Sequence, residues 1–105
     1  MKLIDITETF EQDLQDPEFV RFYLEEALND EQANFLMALR QVIKANKGMT
    51  KIAADIDVGR ESLYKSLSEN GNPNFETVSK VLASLGMKFS IAIRATPRQA
   101  NAPQQ

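Results

Sequence analysis

Arg60, Glu61, Tyr64 and Lys65 are the residues of this chain whose types and spacing could carry recognition chemistry. Offsets of one, four and five from Arg60 put all four on one side of a helix. An arginine at the start of such a helix can donate two hydrogen bonds to a guanine edge. Lys65 can reach a guanine or a phosphate, Glu61 can accept from a cytosine amino group, and Tyr64 can bond a phosphate or pack on a thymine methyl. The alternative is a merely solvated helix face. What separates the two readings is the element ahead of these residues.

That element begins at residue 49. Thr50 precedes Lys51-Ile52-Ala53-Ala54, so its hydroxyl is expected to cap a short helix. Ile52 and Ile56 share one face at a spacing of four, and Ala53 sits where a crossing helix would nearly touch. Asp57 makes the turn, Val58 plugs the angle from below, and Gly59 opens a second helix. In that helix Leu63 and Leu67 point inward with Val58, leaving Arg60, Glu61, Tyr64 and Lys65 on the wet side. This is the layout of a helix-turn-helix, whose second helix presents its early residues to base edges. Helix starts and flanking loops meet the phosphate backbone in that docking mode, which nominates Thr50, Lys51 and Asn72 for phosphate contacts.

Residues 49–68 resemble the Cro-type (lambda-repressor-like) helix-turn-helix, with Thr50 at the first cap and Ala53 at the crossing. Asp57 stands where that family usually has Gly, and Gly59 where it has Ser or Thr. Asp tolerates the left-handed turn conformation and Gly is an acceptable cap. Through Leu63-Tyr64-Lys65-Ser66-Leu67-Ser68-Glu69-Asn70-Gly71-Asn72-Pro73-Asn74-Phe75 the chain is similar to the antidote proteins of addiction modules, HigA-like antitoxins paired with small RelE/ParE-type toxins. The resemblance covers residues 19–93 and is densest over 49–85. It implies a DNA-binding antitoxin that represses its own operon and neutralises a toxin by direct contact. A stand-alone phage-type repressor without a toxin partner is the alternative.

Bulk properties bound the rest. The chain has 105 residues, 43% of them hydrophobic, enough for one domain with a modest core. Without Cys or His, it has neither disulfides nor a histidine base nor a zinc site of the usual type. Asp13 with Asp16 and Glu25 with Glu26 are carboxylate pairs in sequence. Nothing brings a basic residue to them, and they read as solvated surface. No catalytic residue, metal site or cofactor is therefore expected, and the chain is not read as an enzyme. No stretch approaches the about 18–20 apolar residues of a membrane span, so a cytoplasmic protein is expected.

Net charge is −3, but its distribution is uneven. Residues 1–39 hold ten Asp/Glu against two Lys/Arg, whereas residues 40–105 hold five against ten. An acidic arm on a basic body suggests two partners of opposite charge: operator DNA and a basic toxin. Glu8, Glu11, Asp13, Glu25, Glu26 and Glu31 are the acids available to the toxin.

Along the chain, Thr9-Phe10-Glu11-Gln12 fits a capping box for a one-turn helix to Leu14. Asp16-Pro17-Glu18 starts a stronger helix to about Leu28, with Phe19, Phe22, Tyr23 and Ala27 in one stripe and Val20, Leu24 and Leu28 beside it. Most of that surface is expected to be core. A third helix follows Asn29-Asp30-Glu31, carries Phe35, Leu36, Leu39, Val42 and Ile43, and stops at Asn46-Lys47-Gly48. Asn74 caps the last helix, with Phe75, Val78, Val81, Leu82 and Leu85 inward and Gly86 as its stop.

The expected fold is all-α: five helices around one core, lambda-repressor-like, in a single domain over 1–95. Residues 1–30 form an acidic extension, 31–86 the DNA-binding core and 88–95 a short strand. Residues 96–105 are a disordered tail. In the strand Phe89, Ile91 and Ile93 alternate with polar residues, leaving edges that need a partner. That partner could be the 3–6 segment, a toxin strand or the same strand of a second subunit. The last is favoured, because antiparallel self-pairing makes a twofold dimer. Such a homodimer would hold two recognition helices about 34 Å apart, one turn of DNA.

Overall fold

The computed structural model describes residues 6–94. Six helices appear among them: α1 (Ile6–Asp13), α2 (Pro17–Leu28), α3 (Gln32–Asn46), α4 (Met49–Asp55), α5 (Arg60–Ser66) and α6 (Phe75–Ser84). The expected disordered tail and the pairing candidate at residues 3–5 lie outside the described residues.

Local capping chemistry sets several helix ends. Asp16 accepts from the Glu18 amide at 3.1 Å with Pro17 opening α2, and Asn74 accepts from the Thr77 amide at 2.8 Å to open α6. Gly48 takes φ 85° and its amide bonds Ile43 O at 2.7 Å, closing α3 in a conformation that a side chain would strain. At the N-terminus the capping-box expectation fails. The helix already runs from Ile6, so Thr9 lies inside it, and Leu14 N still bonds Phe10 O at 3.0 Å.

α3 is the central strut. It packs on α2 and α4, while α4 packs in turn on α5 and α6. Leu39 and Ile43 from α3, Ile52 from α4, Leu67 after α5 and Val81 from α6 are all 0% exposed. Each such side chain contributes about 1.5–3 kcal/mol relative to leaving it in water. The acidic N-terminal segment enters the same core through Leu14, Val20 and Leu24. Its seam with α3 is also hydrogen-bonded: Asn46 Nδ2 donates to Leu14 O at 2.9 Å, and Gln15 Nε2 to Ala45 O at 3.0 Å. Phe10, Phe19 and Tyr23 close the α1–α2 corner, with Phe10 edge-on to both partners.

Three apolar expectations are corrected. Phe22 is 58% exposed and Leu28 50%, because α3 covers only the Val20–Leu24 side of α2. Phe75 is 71% exposed and stacks on Phe89 at 5.4 Å instead of turning inward. Finally, the described part of 88–95 forms no strand. Ile91 and Ile93 stand fully in solvent, since nothing among the described residues offers their backbone a ladder.

Candidate nucleic-acid interface

The α4–α5 pair is joined by residues 56–59. Ile56, the C-cap just past the first helix, is buried, and its amide bonds Ile52 O at 3.1 Å. Asp57 then adopts φ 60°, in the left-handed region expected of the turn. The next residue differs from expectation. Val58 does not plug the angle with its side chain, which is 37% exposed. Its amide bonds Ala53 O at 3.0 Å, so backbone closes the turn. Ala53 itself is 2% exposed, as a residue at a close helix contact should be. Gly59 is the N-cap of α5, whose Leu63 is buried, with Leu67 just beyond the helix.

Thr50 is not the cap of α4. Gly48 holds that position, so Thr50 falls within the first turn and its hydroxyl is free for another contact. Oγ1 accepts from Arg60 Nε at 2.9 Å. This bond ties the first exposed residue of α5 to the start of α4, and leaves the Arg60 η nitrogens available. Lys51 is exposed beside it. Arg60, Glu61, Tyr64 and Lys65 line one shallow surface on α5, and all four are exposed. Tyr64 also borders a second depression of about 320 Å³, walled by Met37, Arg40, Gln41 and Lys44 of α3 and by Met49. Lys44 and Gln41 are exposed there, while Arg40 Nη1 turns in to cap Leu67 O. This α3 contribution lies beyond the residues nominated from sequence. Its signal was available: positions 40, 41 and 44 are the polar stripe left over by the 35, 36, 39, 42, 43 core pattern.

Asn72 has a different neighbour. Its Oδ1 accepts from Gln32 Nε2 at 3.3 Å, at the start of α3. The preceding Gly71 passes tightly against the end of α5, where a Cβ would stand 2.1 Å from Ser66 O. Behind the pair, Lys47 Nζ and Ser84 Oγ both meet Asp55 Oδ2, at 3.0 and 2.9 Å. These bonds, Lys47 first, hold the Asp55 carboxyl below its ordinary range.

The acids nominated for a second partner are spread over α1–α3. Glu11 and Asp13 are exposed on α1, and Glu26 and Glu31 on and after α2. Glu25 is shared with Arg21 at 3.3 Å, and Glu18 takes the same guanidinium at 3.0 Å. The Glu8 side chain lies outside the described ones. Among the described residues no three carboxylates gather as a cation site, and no helix is long and apolar enough to cross a membrane.

No solved structure matches this chain. An uncharacterized protein of Haemophilus influenzae (strain ATCC 51907 / DSM 11121 / KW20 / Rd) is 36% identical over 78 residues, covering 74% of this chain and 80% of that one. The sequence pattern of a family described as "Probable addiction module antidote protein" matches residues 2–93. Such antidotes are non-enzymatic regulators with a cognate toxin as partner. The chain belongs to this addiction-module antidote family.

Proposed function

We propose that this antidote is a HigA-like antitoxin of a type II module, which binds operator DNA through α4–α5 and represses its own operon. The observation that carries the DNA-binding reading is the exposed Arg60–Glu61–Tyr64–Lys65 surface on a helix fixed by Gly59, Leu63 and Leu67. The α4–α5 pair acts as a lambda-repressor-like helix-turn-helix. Arg60 and Lys65 read base edges, Glu61 and Tyr64 add selectivity, and Thr50 is a positioning residue that orients Arg60. Lys51 and Lys44 flank the reading helix and contact phosphate, and Asn72 extends those contacts along the loop after α5. Toxin, of the RelE/ParE type, is taken by the acidic α1–α2 side, where Glu11, Asp13, Glu25, Glu26, Glu31 and the sequence neighbour Glu8 face a basic partner. The working unit is a homodimer paired through Phe89, Ile91 and Ile93.

A two-readout experiment tests this. Arg60→Ala and Lys65→Ala each weaken binding to the DNA upstream of the operon by about 1–3 kcal/mol, while toxin neutralisation in co-expressing cells is kept. Unchanged operator affinity in both variants would remove α5 from the reading role. A stand-alone repressor, by contrast, would protect no cell from the product of the neighbouring gene.

A further inference from the structure

The C-terminal segment leaves the body of the protein as an arm. Phe89 is its last anchored residue, stacked on Phe75, and beyond it Ile91 and Ile93 are 100% and 99% exposed. Two aliphatic side chains held wholly in water are a cost that a partner surface would relieve. Beside the root of the arm lies an open groove of about 590 Å³ between α2 and residues 82–90. Leu24, Leu28, Leu82, Leu85 and Met87 give it an apolar floor, and its own arm does not fill it. Its α2 wall carries Glu18 and Glu25, two carboxylates sharing the single guanidinium of Arg21.

We infer that this groove receives the arm of a second copy of the same chain, so that two copies exchange residues 91–94. The inference rests on the homodimer proposed above and names the surface that completes it. Three features select this occupant. The arm is apolar where the groove is apolar, through Ile91 and Ile93. It carries Arg94, a cation that Glu18 on the α2 wall can take, across the groove from Lys88. And residues 95–105 contain no apolar side chain larger than Pro, whereas the arm offers two isoleucines. Groove and arm sit on each copy, which makes the exchange reciprocal and closed under a twofold axis.

The chain has no cysteine, so single substitutions report contacts without background. The full chain carrying Leu28→Cys is mixed with a size-tagged full chain carrying Ile93→Cys and oxidised mildly. A disulfide between them can form only between copies. The mixed 28–93 product is expected to dominate over the 28–28 and 93–93 products. In parallel, the Ile91→Glu/Ile93→Glu double variant is expected to weaken self-association in sedimentation by at least about a hundredfold. Its thermal unfolding should match that of the parent monomer, because neither side chain touches its own fold. A parent dimer that gives mainly 93–93 product, or that survives the double substitution, overturns the arm exchange and leaves the dimer itself standing. A parent that sediments as a monomer at micromolar concentration overturns both, and assigns the groove to another occupant such as the toxin.

Discussion

The α4–α5 surface and the α2 surface are built from opposite materials. On α5 the exposed residues are Arg60, Glu61, Tyr64 and Lys65, while every aliphatic side chain of that helix is buried. On α2 the exposed set includes Phe22 and Leu28 among Glu18, Glu25 and Glu26. A polar cationic face over a sealed core suits a hydrated polyanion, which is bound by charge and directed hydrogen bonds. An aromatic residue ringed by carboxylates suits a basic protein, because protein interfaces place apolar anchors inside polar rims. On the function proposed above, the two halves of the molecule divide the partners between them, and substitutions on one side should leave the other partner alone.

The largest expected effect comes from forcing α4 and α5 apart. Ala53→Leu places three extra carbons in a contact that is 2% exposed, and should cost about 1–3 kcal/mol of stability in chemical denaturation. Operator binding should fall with it more than toxin binding does; an equal fall in both would show that the two surfaces are not independent. Next comes the α2 side. Phe22→Ser is expected to cost more than about 1 kcal/mol of toxin affinity in titration calorimetry and to leave operator affinity within error. A variant that binds toxin like the parent would take Phe22 out of the interface.

Smaller changes sharpen the picture. Lys44→Gln removes one cation from the α3 rim, so the log–log salt slope of operator binding should become shallower by about 0.9, equally for operator and random DNA. An unaltered slope would confine the DNA contact to α4 and α5. The smallest effect concerns acid stability. Since the Asp55 carboxyl is held below its ordinary value by Lys47 and Ser84, its contribution is present above the unfolded pKa of about 3.9 and fades as pH falls through the lower folded value. Asp55→Asn should therefore narrow the difference between neutral and strongly acidic stability. A parent and variant with the same pH profile would mean that the three-residue contact contributes nothing measurable.

How far the residues alone reached depends on the range of the interactions involved. Caps at Asp16 and Asn74 and stops at Gly48 and Gly86 were legible because each involves only a few neighbouring residues and the conformational needs of one backbone position. The α4–α5 pair was legible for a similar reason: Ile52, Ile56, Leu63 and Leu67 repeat at four, and Asp57 and Gly59 mark the turn between them. The Thr50 cap was misplaced by one feature, the use of Gly48 both to end α3 and to begin α4.

What remained was decided by residues far apart in sequence. Periodicity says that Phe22, Leu28 and Phe75 lie near an apolar stripe, but how wide an arc a neighbour covers depends on where α3 and the C-terminal segment pack. Arg60 meets Thr50 across the turn, Asn46 meets Leu14 across the fold, and Gly71 must pass within reach of the Ser66 carbonyl. The alternating Phe89, Ile91 and Ile93 pattern predicted a strand that the described residues do not form. Only the packed chain shows the open groove beside that segment, because a strand signal is local and its partner is not.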